Sequence, residues 1–160
     1  MHKLIHAKAA EVFPVVQDIF NNTGSNVRIT VSGDSMYPFL RNGIDSVELS
    51  KAEFTELKKF DIVLIKRETG DYILHRVIKK DKDCFFIAGD AQQWIEGPLF
   101  PVQLQAVVKA VWRRNKKISC DSRLWLTYSR VWLQCLPIRY LLLRLARIPD
   151  KLRRVVARHE

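Results

Sequence analysis

The sequence predicts a mainly β chain: an antiparallel sheet or partly open β-barrel, preceded by a short helix and followed by amphipathic helices. Three observations carry this. Short runs of alternating apolar and polar residues succeed one another between 27 and 112. Turn signals separate several of them, notably Glu68-Thr69-Gly70-Asp71 and Lys80-Asp81-Lys82-Asp83. No long helical period falls between them, so parallel crossovers have no room and hairpin connections are expected.

The elements follow in order. Ile5, Ala9, Val12, Val16 and Ile19 recur in steps of four and three, predicting a helix over about 5–20. Asn21-Asn22-Thr23-Gly24 stops it, and Pro14 should kink or restart it. Val27, Ile29 and Val31 alternate with Arg28, Thr30 and Ser32 in a half-buried strand ending at Gly33. Further strands are expected at 45–49, 61–66, 71–79, 84–88 and 102–112. Past Lys117 the texture changes. Arg123, Thr127, Arg130 and Gln134 form a narrow polar stripe at helical spacing, surrounded by Leu124, Trp125, Leu126, Tyr128, Val131, Trp132, Leu133 and Leu136. Pro137 should interrupt this helix and Pro149 should end its continuation. The chain therefore divides into an N-terminal helix (1–26), a β-rich domain (27–119) and a basic amphipathic tail (120–160).

A length of 160 residues, 48% of them hydrophobic and 28% charged, suits one globular core rather than a disordered chain. Cys84, Cys120 and Cys135 are odd in number and lack metal-site spacing, which argues against a disulfide framework or a zinc site. Charge is uneven. Residues 113–160 hold 13 of the 27 Lys and Arg but 3 of the 17 Asp and Glu, leaving 1–112 neutral. The basic character belongs to the tail, which points to an anionic membrane surface as its partner. No signal peptide is expected at the start, where charged and polar residues interrupt every apolar run. The longest apolar stretch, Leu124–Ala146, is broken by Arg130, Gln134 and Arg139, so lying on a membrane is easier than spanning one.

Three short segments carry candidate chemistry. Ser35 sits in Gly33-Asp34-Ser35-Met36-Tyr37-Pro38, directly after a strand, where the chain should turn sharply and expose the hydroxyl. Gly33, Asp34, Met36 and Pro38 frame it as the candidate substrate and oxyanion surface, since turn N–H groups stabilise a developing oxyanion. His75 lies in a β-patterned run that places it with Ile73 and Val77, opposite Arg76. Its near-neutral pKa suits taking a proton from Ser35. Asp90 ends a strand at a Gly-Asp turn and could orient the imidazole, as could Glu96, in a loop closed by Gly97-Pro98. Lys66 offers an alternative base, whereas Asp34 and Asp61 read more simply as structural.

Taken together, Gly33–Pro38, Phe60-Asp61-Ile62-Val63-Leu64-Ile65-Lys66, Leu74-His75-Arg76-Val77-Ile78 and Ile87-Ala88-Gly89-Asp90-Ala91 resemble the signal peptidase I clan, which includes the self-cleaving domain of the SOS repressor. The resemblance spans about 29–112. It implies that Ser35 is the nucleophile and that His75 occupies the place of the bacterial general-base lysine. A histidine there resembles the archaeal and endoplasmic-reticulum branch, whose acidic positions correspond to Asp90 and Glu96. The resemblance implies cleavage of signal or leader peptides from precursor polypeptides, with no metal or organic cofactor. The chain departs from the pattern in having a short charged helix instead of an anchor, an extra residue in Gly43-Ile44-Asp45, Phe60 in place of glycine, and Glu at 96.

Two other readings differ in kind. A self-cleaving regulator would need a DNA-binding domain before the serine, and 26 residues are too few. A non-enzymatic module binding membrane or nucleic acid through the basic tail would leave the Ser–His–Asp series as coincidence.

Overall fold

The structure, a computed structural model, describes residues 9–135 with 138, 139, 141 and 143, the first four by backbone alone. Helix α1 (Ala9–Thr23) leads into β1 (Val27–Thr30), β2 (Ser46–Lys51), β3 (Ile62–Lys66), β4 (Tyr72–Lys80), β5 (Phe85–Ala88), β6 (Glu96–Leu99), β7 (Leu104–Arg113), β8 (Lys116–Ser119) and helix α2 (Arg123–Gln134). Among the described residues, these strands form one open antiparallel sheet in the order β1-β2-β7-β3-β4-β5-β6, with β8 pairing β7 off that path. The chain is mainly β, as the alternating runs predict, and the sheet does not close into a barrel.

Both faces of the sheet are covered. On β3, Ile62 and Leu64 join one core with Phe13, Val16 and Phe20 of α1, Val31, Met36 and Leu40 of the segment after β1, and Trp125 of α2. Val63 and Ile65 face the other core, with Leu57, Val77, Phe85, Ile87 and Leu99. A strand buried on both faces has no polar side to show, which is why Ile62-Val63-Leu64-Ile65 is an unbroken apolar run. Each such side chain contributes about 1.5–3 kcal/mol of burial.

Three expectations change. The inward residues of α1 include Phe13, Val16 and Phe20 in steps of three and four; Ile19 is half-buried. Pro14 lies inside α1 on its exposed side. Glu96 begins strand β6 rather than sitting in a loop, because Gly97 and Pro98 lie at the sheet edge, where a missing N–H leaves no ladder bond unmade. The third concerns β7 and β8, which form a hairpin closed by Arg114 and Asn115, both with positive φ (48° and 63°), the conformation of a two-residue hairpin turn.

Helix α2 packs against the sheet. The Ser122 hydroxyl accepts from the Trp125 N–H to cap it, and Trp125, Ser129 and Leu133 point inward at i, i+4 and i+8. The expected polar stripe of Arg123, Thr127, Arg130 and Gln134 is exposed, as are Leu124, Tyr128 and Val131. Expectations for Pro137 and for 144–160 lie outside the described residues. Among the described residues no helix is long and apolar enough to cross a membrane.

Candidate active site

The segment carrying Ser35 is held from below by Asp45. That carboxylate is fully buried and accepts from the Arg41 N–H (3.0 Å) and from the guanidinium groups of Arg41 (2.9 Å) and Arg113 (2.9 Å). Burial alone would raise its pKa; the bonds from Arg41 and Arg113 more than offset this and hold it below the ordinary value. Arg113 also donates to the Phe39 carbonyl (2.8 Å). The Tyr37 N–H donates to the Asp34 carbonyl (3.1 Å), making the turn that contains Ser35. Gly33 supplies the positive φ (89°) that lets the chain leave β1. Of the expected substrate surface, Gly33 and Asp34 are exposed and Pro38 half-buried, whereas the Met36 side chain is core, 1% exposed.

Ser35 itself is half-buried, and its carbonyl accepts from the Ala91 N–H (2.8 Å). A Cβ added at Gly89 would lie 2.6 Å from that same carbonyl, so glycine there is a requirement of close approach. β4 and β5 pair with Arg76 opposite Ala88 and Val77 opposite Ile87. Gly89 follows directly on Ala88, the last residue of β5, and lies outside the paired strand. The Ser35 backbone therefore packs on Gly89 and Ala91, just past the end of β5. Among the described residues no hydrogen bond joins the Ser35 hydroxyl to the ring.

His75 is 2% exposed, and its Nδ1 lacks a hydrogen-bond partner. The nearest carboxylate oxygen is Glu96 Oε2, at 4.0 Å. Glu96 is gripped by Arg67, whose Nε donates to Oε1 at 2.8 Å and whose Nη2 donates to Oε2. That bond keeps the Glu96 carboxyl below its ordinary pKa, and so charged. Asp90, expected as an orienting acid, takes a different partner. Its oxygens accept from Arg76 Nε (2.8 Å) and Nη2 (2.7 Å), and Arg76 lies on the opposite face of β4 from His75. Lys66 is exposed at the end of β3, with its ammonium 5.6 Å from the Tyr72 ring centre. Asp61 accepts from the Lys58 N–H (2.8 Å), a turn contact. Burial pushes the Cys120 thiol up to about 12, which leaves it inert.

Burial dominates the titration of His75. It lowers the pKa from the ordinary 6.5 to about 4; Glu96 and Asp90 act upward and Arg67 downward. The ring is neutral at pH 7. Between pH 6.5 and 4 the unfolded chain binds a proton that the fold refuses, so stability falls as pH drops through this window. The loss reaches about 3 kcal/mol by pH 4. Denaturant melts at pH 7 and 4.5 should show a larger fall for the wild-type protein than for His75→Gln; equal falls would remove His75 as its source.

Arg67 holds Glu96, Arg76 holds Asp90 and Gly89 admits the Ser35 carbonyl, and the sequence does not single them out for these contacts. Alternation does place Arg76 opposite His75, which was the available signal. Compared with protein-family models and with curated proteins, the chain matches none.

Proposed function

We propose that the chain is a serine endopeptidase of the signal peptidase type, cleaving signal or leader peptides from precursor polypeptides. One observation carries the reading: the Ser35 backbone packs on Gly89 and Ala91 just past the end of β5, which pairs with the strand that carries His75, while the Nδ1 of that ring lies 4.0 Å from the Glu96 carboxylate. In this reading the ring is neutral, with Nδ1–H toward Glu96 and the Nε2 lone pair free for Ser35. The Ser35 Oγ attacks the scissile carbonyl as its proton passes to Nε2. The C–N bond breaks, the leaving amine takes that proton, and water then hydrolyses the Ser35 ester by the same relay. Glu96 stabilises the transient imidazolium. The resemblance supports this on a further point: Phe60, where the family has glycine, holds φ +83°, a conformation glycine adopts without strain.

Trp94 (62% exposed) and Ile95 (52%) immediately precede Glu96 and offer an apolar surface to a peptide. The test is direct. A proteome-derived peptide library incubated with wild-type protein and with Ser35→Ala should yield cuts, read by mass spectrometry, that the variant does not make. Identical cuts in both, or none in either, would end the reading.

The exposed face of α2 supports a second element, docking on an anionic membrane. Leu124, Tyr128 and Val131 stand clear of the core, flanked by Arg123 and Arg130, an interfacial pattern. Removing 120–160 would strip buried Trp125 and Leu133, so the informative variant is Leu124→Glu/Val131→Glu. It should lose co-sedimentation with phosphatidylserine vesicles while staying folded; unchanged co-sedimentation would place the contact elsewhere.

A further inference from the structure

Arg139 is fully buried, and among the described residues no carboxylate pairs with it. Its Nη1 donates to the carbonyls of Gly89 (3.1 Å) and Gln92 (2.9 Å), and its Nη2 donates to the Trp132 carbonyl (3.3 Å). The guanidinium carbon lies 5.3 Å from the centre of the Trp132 ring. Trp132 in turn donates its indole N–H to the Asp90 carbonyl (2.9 Å). Three carbonyls of one four-residue turn, at 89, 90 and 92, are thus taken by the C-terminal segment. The same turn donates the Ala91 N–H to Ser35. A buried cation held by carbonyls and one ring face, with no carboxylate among the described residues, is a costly arrangement; Nη1 takes both turn carbonyls while Nη2 reaches back to α2, a spread of donors that the single nitrogen of lysine does not offer.

We propose that Arg139 and Trp132 are positioning residues, gripping the Gly89–Gln92 turn by its carbonyls so that Ala91 holds the Ser35 backbone in place. The inference rests on the peptidase reading for its kinetic consequence but not for the clamp itself. The segment after the sheet then does more than cover a core. It sets the seat of the nucleophile, and a displacement of about 1 Å there is worth up to about 100-fold in rate.

The experiment uses the full chain and the best-cleaved peptide from the library. Arg139→Ala should lower kcat about 10–100-fold with KM within about twofold, since the loss is of alignment and not of substrate contacts. Added methylguanidinium should restore part of that kcat, and Arg139→Lys should fall between. Trp132→Phe keeps the ring but removes the N–H, and should lower kcat several-fold; it carries the test if Arg139→Ala does not fold. Amide exchange at Ala91 should speed up at least about tenfold in both variants, with Val63 and Ile65 unchanged. Unchanged kcat, or Ala91 exchange that stays slow, would overturn the proposal. So would protection lost equally at Ala91 and in β3. If wild-type protein cleaves no peptide, the peptidase reading falls, and Ala91 exchange alone decides the clamp.

Discussion

Asp90→Ala should cost about 3–5 kcal/mol of folding stability, the penalty for leaving a buried charge without its partner. Arg76 is fully buried, and its remaining contacts cannot replace a carboxylate. Nη1 donates to the Phe60 carbonyl (3.1 Å) and the Ser129 hydroxyl (2.9 Å), and the guanidinium lies over the Phe39 ring at 4.7 Å. The Asp90–Arg76 pair ties β4, the Gly89–Gln92 turn and α2 together, so its loss should be cooperative. Changing both partners, as Asp90→Leu/Arg76→Met, should recover at least half of the deficit, because an apolar pair carries no desolvation penalty. Denaturant titration distinguishes the outcomes. A single variant within about 1 kcal/mol of wild type would show that the pair does not hold the fold.

Glu96→Gln should do the reverse. Its carboxylate is partly exposed and its bridge to Arg67 is a near-surface one, so stability should change by less than about 1 kcal/mol. Activity should fall about 100- to 10,000-fold in kcat, the range for removing the acid that orients and stabilises a catalytic imidazolium. Glu96 is also the strongest influence raising the His75 pKa, so the acidic limb of the kcat/KM profile should move to lower pH in this variant. Wild-type kcat in Glu96→Gln would return the orienting role to another carboxylate or to none.

These two acids show where sequence reasoning stops. Asp90 and Glu96 stand six residues apart, and both were plausible partners for an imidazole. Which one meets His75 depends on the face of β4 each approaches and on two arginines, Arg76 fourteen residues before Asp90 and Arg67 twenty-nine before Glu96. No local pattern encodes those pairings. β3, β4 and β7 were legible because burial imposes alternation or an unbroken apolar run. β6 was not, since Glu96-Gly97-Pro98-Leu99 contains the two strongest strand breakers and survives only at an edge. β8 reads as a basic stretch, and its pairing with β7 rests on a turn without glycine. Arg139 looks like any other arginine of a basic tail, and only tertiary packing distinguishes it.

The account centres on a hydroxyl acting as nucleophile beside a buried neutral imidazole. The decisive measurement is to quench the wild-type protein during turnover of an ester analogue of its best peptide and map the added acyl mass by tandem mass spectrometry. The account predicts an ester on the Ser35 oxygen, absent from Ser35→Ala and accumulating slowly in His75→Ala. An acyl group found on any other side chain, or undiminished turnover by Ser35→Ala, would contradict it.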